Sequence, residues 1–406
     1  MVKDTSNPSV LLLSPFFYPE KISTGKYNTY LAEEFVAQGV GVTVIASHPL
    51  YPGWRPEKTD AALPGIVINR GGAWIRYPKS ALLRRAILEL WYAWHVLTSF
   101  VRLKLQPTCV VAVFPPSLFF LMLARIIPRG CRKVGVVHDL QGVYASRSKR
   151  VLSQLVNLAI HFVESQCFRS CDRLIFLSSS MANRAILEYG LDKNKCAVCY
   201  PFVALSENQD VAGADLAHLL DGKKTNVVYS GALGDKQNPD GLFAFFSRLV
   251  SARLDVSCHI FSAGPHFERL RSAHGEKGNA ESVVQFHDLV ATKYLDELYT
   301  RSDIQIIPQA DGTADGSLPS KLPNLMAAGV PVFVICETGS ELADLVREAG
   351  AGGASHTWDA SVLVDEFVQL LPVLKAEPRS ARKARLRPFV EERFSIRRIV
   401  EEIIKI

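Results

Sequence analysis

No apolar run in this 406-residue sequence is long enough, unbroken, to cross a bilayer. The longest, Cys109 to Ile127, is interrupted by Pro115-Pro116 and by Arg125. A proline pair ends a strand and disfavours helix before it, so the run divides into a strand, Cys109 to Val113, and a helix, Ser117 to Ile127. Near the N-terminus only Val10 to Leu13 is continuously apolar, too short for the core of a secretory leader. Metal-binding spacing is thin as well. Eight cysteines are scattered, as suits a reducing compartment. Cys167/Cys171 falls in a helical stretch and Cys196/Cys199 in Lys195-Cys-Ala-Val-Cys-Tyr-Pro201, which reads as a strand. Buried or half-buried thiols are expected there rather than zinc or redox chemistry. There are no internal repeats, no low-complexity tracts and no Asp-x-Asp pair. A hydrophobic content of 48% with 21% charged residues excludes a disordered chain.

What charge there is sits unevenly. The formal net charge is +6. Between Lys79 and Arg150 the acids are only Glu89 and Asp139, against Lys79, Arg84, Arg85, Arg102, Lys104, Arg125, Arg129, Arg132, Lys133, Arg147, Lys149 and Arg150. Ala81 to Leu105 has helical periodicity and contains Trp91 and Trp94. Two readings fit it: a helix at a bilayer interface, or a core helix with a solvated basic edge. No recognised nucleic-acid-binding module accompanies the charge.

Short apolar runs alternate with helical stretches over most of the chain. Val10 to Ser14, Val40 to Ala46, Ile66 to Asn69, Cys109 to Val113, Lys133 to Val137 and Arg173 to Leu177 read as strands, with an amphipathic helix at Lys26 to Gln38. After a polar stretch, Ser206 to Lys224, a second series follows: Asn226 to Tyr229, Ser257 to Ser262, Val283 to Phe286, Ile304 to Ile307 and Val330 to Ile335. Continuous apolar strands separated by helices predict an α/β chain of parallel sheets covered on both faces. The expected architecture is two Rossmann-like domains facing each other across a cleft. Residues 1–205 form the first and 206–380 the second, and 381–406 end in a helix returning to the first. Sites in such sheets lie outside the carboxyl ends of the strands.

Two loops in the second half stand out. Asp315-Gly-Ser-Leu-Pro-Ser-Lys-Leu-Pro-Asn-Leu-Met-Ala-Ala-Gly-Val-Pro-Val332 reads as a polar loop, a short helix and a buried strand. Ser320 is a plausible N-cap, with Lys321, Leu322 and Pro323 in the first turn, where a proline costs least. Gly329 stops the helix. Free N–H groups, a hydroxyl and a lysine at a helix start suit a phosphate. The other loop is Ser230-Gly-Ala-Leu-Gly-Asp-Lys-Gln237. Two cationic glycine loops in one α/β domain point to a nucleotide diphosphate held between them.

With Phe16-Phe-Tyr-Pro-Glu20, Thr24-Gly-Lys-Tyr27 and Pro49-Leu-Tyr-Pro-Gly-Trp54, these stretches run nearly end to end. Together they resemble the retaining glycosyltransferases of the GT-B fold, family 4. Within it they are similar to the fucosyltransferase-type enzymes of colanic-acid and other exopolysaccharide assembly. The resemblance implies transfer of a sugar from a GDP- or UDP-linked donor to a lipid-linked saccharide, with no metal and no cofactor beyond the donor itself. It implies reacting-site roles for His138, Lys236 and Asp315. It implies donor contacts by Gly25, Gly231, Lys236, Leu289, Ser320, Lys321, Leu322 and Asn324. Asp139, Glu164, Tyr51 and Trp54 are further candidates, the last two as an acceptor platform or as packing within a Pro-rich loop. It implies a peripheral protein on the cytoplasmic face of the inner membrane, seated through the basic first domain, and no nucleic-acid partner.

The chain also departs from the family. Two glutamates usual around the second loop fall on Gly316 and Asn324, an arginine of the glycine loop is absent near Ala232, and Gln141 stands where close relatives have an acid. A nucleotide-sugar epimerase of the same fold and a non-catalytic, membrane-associated assembly protein are the alternative functions.

Overall fold

In a computed structural model, residues 8–405 are described, apart from 21, 52, 141–150, 205–215, 217, 221, 253–254, 276–283, 292–293, 315 and 317. The chain divides into two compact units, Met1–Tyr200 with Ile396–Ile406, and Pro201–Ser395.

The first unit is a seven-stranded parallel sheet in the order β3-β2-β1-β4-β5-β6-β7. Its strands are β1 (Ser9–Leu13), β2 (Gly41–Ser47), β3 (Ile66–Gly71), β4 (Cys109–Phe114), β5 (Arg132–Val137), β6 (Arg173–Phe176) and β7 (Cys196–Val198). The helices between them are α1 (Ser23–Ala37), α2 (Ala81–Arg102), α3 (Leu118–Leu123), α4 (Val151–Ser170) and α5 (Ser179–Tyr189). Every residue of β4 is buried, because helices cover both faces of a central parallel strand. The apolar run Cys109 to Ile127 is thus a strand and a short helix, and among the described residues no helix is long and apolar enough to cross a membrane. Cys167, Cys171 and Cys199 are buried free thiols and Cys196 is half-buried. The Cys167 thiol donates to the Ser117 carbonyl (3.2 Å), and burial pushes it above the usual thiol range.

The second unit is a six-stranded parallel sheet in the order β10-β9-β8-β11-β12-β13. It comprises β8 (Thr225–Ser230), α6 (Pro239–Ala252), β9 (Val256–Ser262), α7 (Pro265–His274), β10 (Gln285–Asp288), α8 (Leu295–Arg301), β11 (Ile304–Pro308), α9 (Lys321–Ala327), β12 (Val332–Ile335), α10 (Glu341–Ala349) and β13 (Gly352–Ser355). α11 (Ala360–Ala376) and α12 (Arg379–Arg393) follow. The two parallel sheets are the α/β architecture expected from the alternating apolar runs. The expected boundary at 380/381 is corrected to Ser395/Ile396. α12 belongs to the second unit because it packs on α9, with Arg379 Nε donating to the Ala328 carbonyl (2.7 Å) and Arg382 to that of Leu374 (2.7 Å). Only α13 (Ile396–Ile404) returns to the first unit. There it lies on α1, and Glu402 pairs with Arg173.

Candidate functional site

In the second sheet the chain order reverses between β8 and β11: β9 and β10 extend one way, β12 and β13 the other. Open parallel sheets bind ligands outside the carboxyl ends of the strands at such a reversal. Gly231, directly after β8, has φ +135°, a conformation that L side chains rarely adopt. Its N–H donates to the Phe261 carbonyl (3.0 Å) and its own carbonyl accepts from the Ser262 hydroxyl (2.7 Å), so the end of β9 fixes the loop. Gln237 closes the turn by accepting from Gly234 N–H (2.9 Å), and the Tyr229 hydroxyl donates to the Ala232 carbonyl (2.6 Å). Lys236 is exposed at the tip, while its carbonyl accepts from Ala310 N–H (2.8 Å), tying the loop to the segment after β11.

Lys321 opens α9 and turns its ammonium inward. Nζ donates to the carbonyls of Ser230 (3.1 Å) and Ile306 (3.4 Å), on either side of the reversal, and lies 4.0 Å from the Tyr229 ring centroid. The residue keeps some accessible surface, but its ammonium is withdrawn from water, and burial lowers its pKa to about 7. Glu337, at the end of β12, accepts from Gly312 N–H (3.2 Å) and Ala314 N–H (3.1 Å) and so holds the loop before α9.

The other predicted donor contacts are placed less simply. Ser320 is exposed at the N-cap position, but its backbone is already helical (φ −62°, ψ −13°) and its hydroxyl caps nothing. Leu322 is buried and its N–H donates to the Pro319 carbonyl (3.0 Å). The Asn324 side-chain oxygen accepts from Ala204 N–H (2.8 Å). Leu289 is 52% exposed just past β10. Beside it His287 Nε2 lies 3.1 Å from His259 Nδ1, and burial lowers the His287 pKa to about 4. Asp315 lies outside the described residues.

In the first unit, His138 follows β5, and its N–H donates to the Phe114 carbonyl of β4 (2.8 Å). Its ring meets Tyr27 of α1 edge-on at 4.7 Å. Nε2 is buried and has no hydrogen-bond partner among the described residues. Burial lowers the His138 pKa to about 4, so the imidazole is neutral near pH 7. Asp139 accepts from Leu140 N–H (3.1 Å). A Cβ on Gly25 would fall 2.8 Å from the Glu20 Cβ, so what this glycine makes room for is Glu20. The Glu20 carboxylate is buried and accepts from the N–H groups of Leu50 (2.8 Å) and Tyr51 (3.3 Å), binding the loops after β1 and β2 together. Tyr51 is exposed. Trp54 packs edge-on to Tyr77 (5.6 Å) under the Arg84 guanidinium (4.3 Å). Glu164 is fully buried and accepts from the Tyr189 hydroxyl (2.6 Å).

One edge of the second sheet therefore gathers Gly231, Lys236 and Lys321, and the matching edge of the first gathers Gly25 and His138 through Tyr27. Sequence reasoning missed Tyr229, Glu337 and the tie made by Glu20. The first two stand at the ends of apolar strands, which is the signal that was available for them.

Residues 24–207 match the family Glycosyltransferase Family 4, and residues 215–372 match Glycosyl transferases group 1. The chain is 28% identical over 358 residues to WcaI of Escherichia coli (strain K12), named as a colanic acid biosynthesis glycosyl transferase, covering 83% of this chain and 85% of that one. Among solved structures, sucrose-phosphate synthase from Thermosynechococcus elongatus superposes with a TM-score of 0.73 at 14% identity, over 98% of both chains. WaaG, a glycosyltransferase involved in lipopolysaccharide biosynthesis, superposes at 0.71 and 14% identity, over 97% of this chain and 99% of its own. Both share the two-sheet architecture with this chain.

Proposed function

Starting from a chain that belongs to the family 4 glycosyltransferases of the GT-B fold, we propose that it moves a sugar, with retention at the anomeric carbon, from a GDP- or UDP-linked donor to a lipid-linked saccharide in surface-polysaccharide assembly. The observation that carries this reading is the Lys321 ammonium, held on the Ser230 and Ile306 carbonyls at the reversal of the second sheet, beside the Gly231 loop. A diphosphate there would meet the Lys321 and Lys236 cations where leaving-group charge grows, and fixed donors in a dry site stabilise such charge strongly. In this mechanism the bond from the anomeric carbon to the diphosphate oxygen breaks. The acceptor hydroxyl bonds to that carbon from the same face, and its proton passes to the departing diphosphate oxygen. No carboxylate base is then required. Neutral His138 is assigned to the donor sugar through its buried Nε2, and Asp315 to a sugar hydroxyl. The cations take the place of a divalent metal. The protein acts on the cytoplasmic face of the inner membrane, where a polyprenyl-diphosphate acceptor would be presented. The similarity to WcaI supports the polysaccharide setting.

A thermal-shift screen with GDP, UDP, ADP and their sugars, with and without EDTA, tests the reading. A ligand bound only by the folded chain raises its melting temperature by mass action. Stabilisation by GDP or UDP that survives EDTA and is lost in Lys236→Ala supports it, and product anomericity by NMR then tests retention. No stabilisation by any nucleotide at millimolar concentration overturns it.

A further inference from the structure

A helix lying on a sheet needs one apolar stripe, and α2 has two. Tyr92, Val96 and Phe100 are buried in the first core. On the opposite side Leu83, Leu90, Trp94 and Val101 are each more than half exposed, Trp94 at 68%. At about 100° per residue these four fall within roughly 40° of arc, so they form one line along the helix. α3 packs beside α2, and Met122 with Ile126 just beyond it extend the exposed apolar surface. α4 packs beside α3 and adds Leu158 and Phe162, one turn apart. Single exposed apolar residues are ordinary, whereas a set of this size on three neighbouring helices marks an interaction face.

The charge at the ends of α2 and just after α3 has one sign. Arg84 and Arg85 stand at the start of α2, Arg102 and Lys104 at its end, Arg125 and Arg129 after α3. The one acid of α2, Glu89, faces inward, accepting from the N–H groups of Ser117 (3.0 Å) and Leu118 (2.9 Å). We propose that the α2–α3–α4 face lies in the headgroup layer of an anionic bilayer, with Trp94 and its apolar neighbours below the phosphates and the arginines and lysines among them. A second copy of the chain would set like charges against each other, whereas anionic lipid complements them. No described helix is long and apolar enough to cross a membrane, so the seat is in the plane of the surface. Each of these helices follows a strand of a parallel sheet, so each begins at the carboxyl edge that holds His138. Seating the face lays these helices along the lipid surface, with that edge at one end of the seated face, where a lipid-linked acceptor would reach it. This last point rests on the proposed lipid-linked acceptor; the docking itself does not.

The full chain is tested by co-sedimentation with phosphatidylglycerol and with phosphatidylcholine vesicles. The parent is expected to bind phosphatidylglycerol, more weakly at high salt, and phosphatidylcholine poorly. Trp94→Glu and Leu90→Glu, both on the exposed line, should each lower phosphatidylglycerol partitioning about tenfold or more, because a charge is costly below the headgroups. The melting shift given by GDP or UDP should persist in both. Arg102→Glu with Lys104→Glu, at exposed positions outside the core, should also lower phosphatidylglycerol partitioning. Unchanged vesicle binding in all variants, or no binding by the parent, overturns the proposal. So does a parent that self-associates in ultracentrifugation while Trp94→Glu stays monomeric, since that gives the face to a second copy. Vesicle binding without any nucleotide shift would leave the docking intact and remove the enzymatic reading instead.

Discussion

The carboxyl edges of the two sheets are built from opposite materials. The second presents cations and glycine backbone: Lys321 on two strand-end carbonyls, Lys236 at an exposed tip, Gly231 at positive φ. The first presents a neutral imidazole against a tyrosine ring, and a buried carboxylate whose bonds go to its own loops. The second brings Lys321 and Lys236 to its loops, charges that suit a diphosphate. The first has shape and neutral polarity, which suit a sugar or an acceptor. The fold supplies the same edge twice, and the side chains give each its own chemistry.

The largest effect expected from this contrast is at Lys321. Lys321→Met keeps length and removes the cation, and kcat/KM should fall on the order of 100-fold or more, as when one transition-state donor is removed elsewhere. The ionisation adds a second readout. The folded-state pKa of about 7 lies below the ordinary lysine value of 10.5, so between these values the unfolded chain binds more protons than the folded one. Stability contributed by this group therefore rises with pH from about 7 towards 10.5. The parent should gain melting temperature relative to Lys321→Met across that window. A diphosphate beside the ammonium favours its charged form, so GDP or UDP binding at pH 8 should take up protons, seen as a binding enthalpy that varies with buffer. Equal turnover in Lys321→Met would erase the distinction between the edges.

The next effects fall on the first edge and concern stability. Glu20→Ala leaves the Leu50 and Tyr51 N–H groups without their acceptor, at a cost of about 1–3 kcal/mol; Glu20→Gln retains an acceptor oxygen and should lose less. Gly25→Ala forces a methyl to 2.8 Å from the Glu20 Cβ, and overpacking of this kind costs about 1–3 kcal/mol. Denaturant melts check both. Stabilisation by GDP or UDP should survive Glu20→Ala and fail in Lys321→Met. The reverse outcome would place the nucleotide on the wrong edge of the comparison.

Much of the fold was legible because buried parallel strands write themselves as apolar runs. β4 and β8 extend only one residue or so beyond the sequence reading at either end. β13 escaped notice because Gly352-Gly-Ala-Ser has no apolar pattern. A Cβ on Gly352 would collide with the Val332 carbonyl of β12, so close strand approach, not side-chain burial, selects this residue. The end of the second unit was missed because α12 contains Pro388 and many charges, and packs through few apolar residues. In the site, Gly231 was legible as a glycine after a strand. Lys321 was legible as a helix-start lysine, but its inward aim was not, because it depends on carbonyls 91 and 15 residues away. Glu20 stood within the Phe16-to-Glu20 stretch, but its tie was not legible there, since its partner Leu50 is thirty residues on. Local pattern reveals elements and their ends; ties between ends need the sheet order.

The smallest expected effect is at His138, and it is informative for that reason. Its pKa is lowered from 6.5 to about 4 by burial, so the folded chain binds fewer protons than the unfolded chain between those values. The stability this neutral group contributes is in place above about pH 6.5 and is lost as pH falls through that window towards 4. Transfer measured between pH 6.5 and 8 should therefore show no inflection from His138. His138→Gln, which keeps a polar side chain without the titration, should flatten the acid side of the stability curve and leave its neutral side unchanged. An inflection in transfer near pH 6.5 that vanishes in His138→Gln would mean that the imidazole titrates in water. The first edge would then carry charge near neutrality, and its contrast with the second would narrow to one of degree.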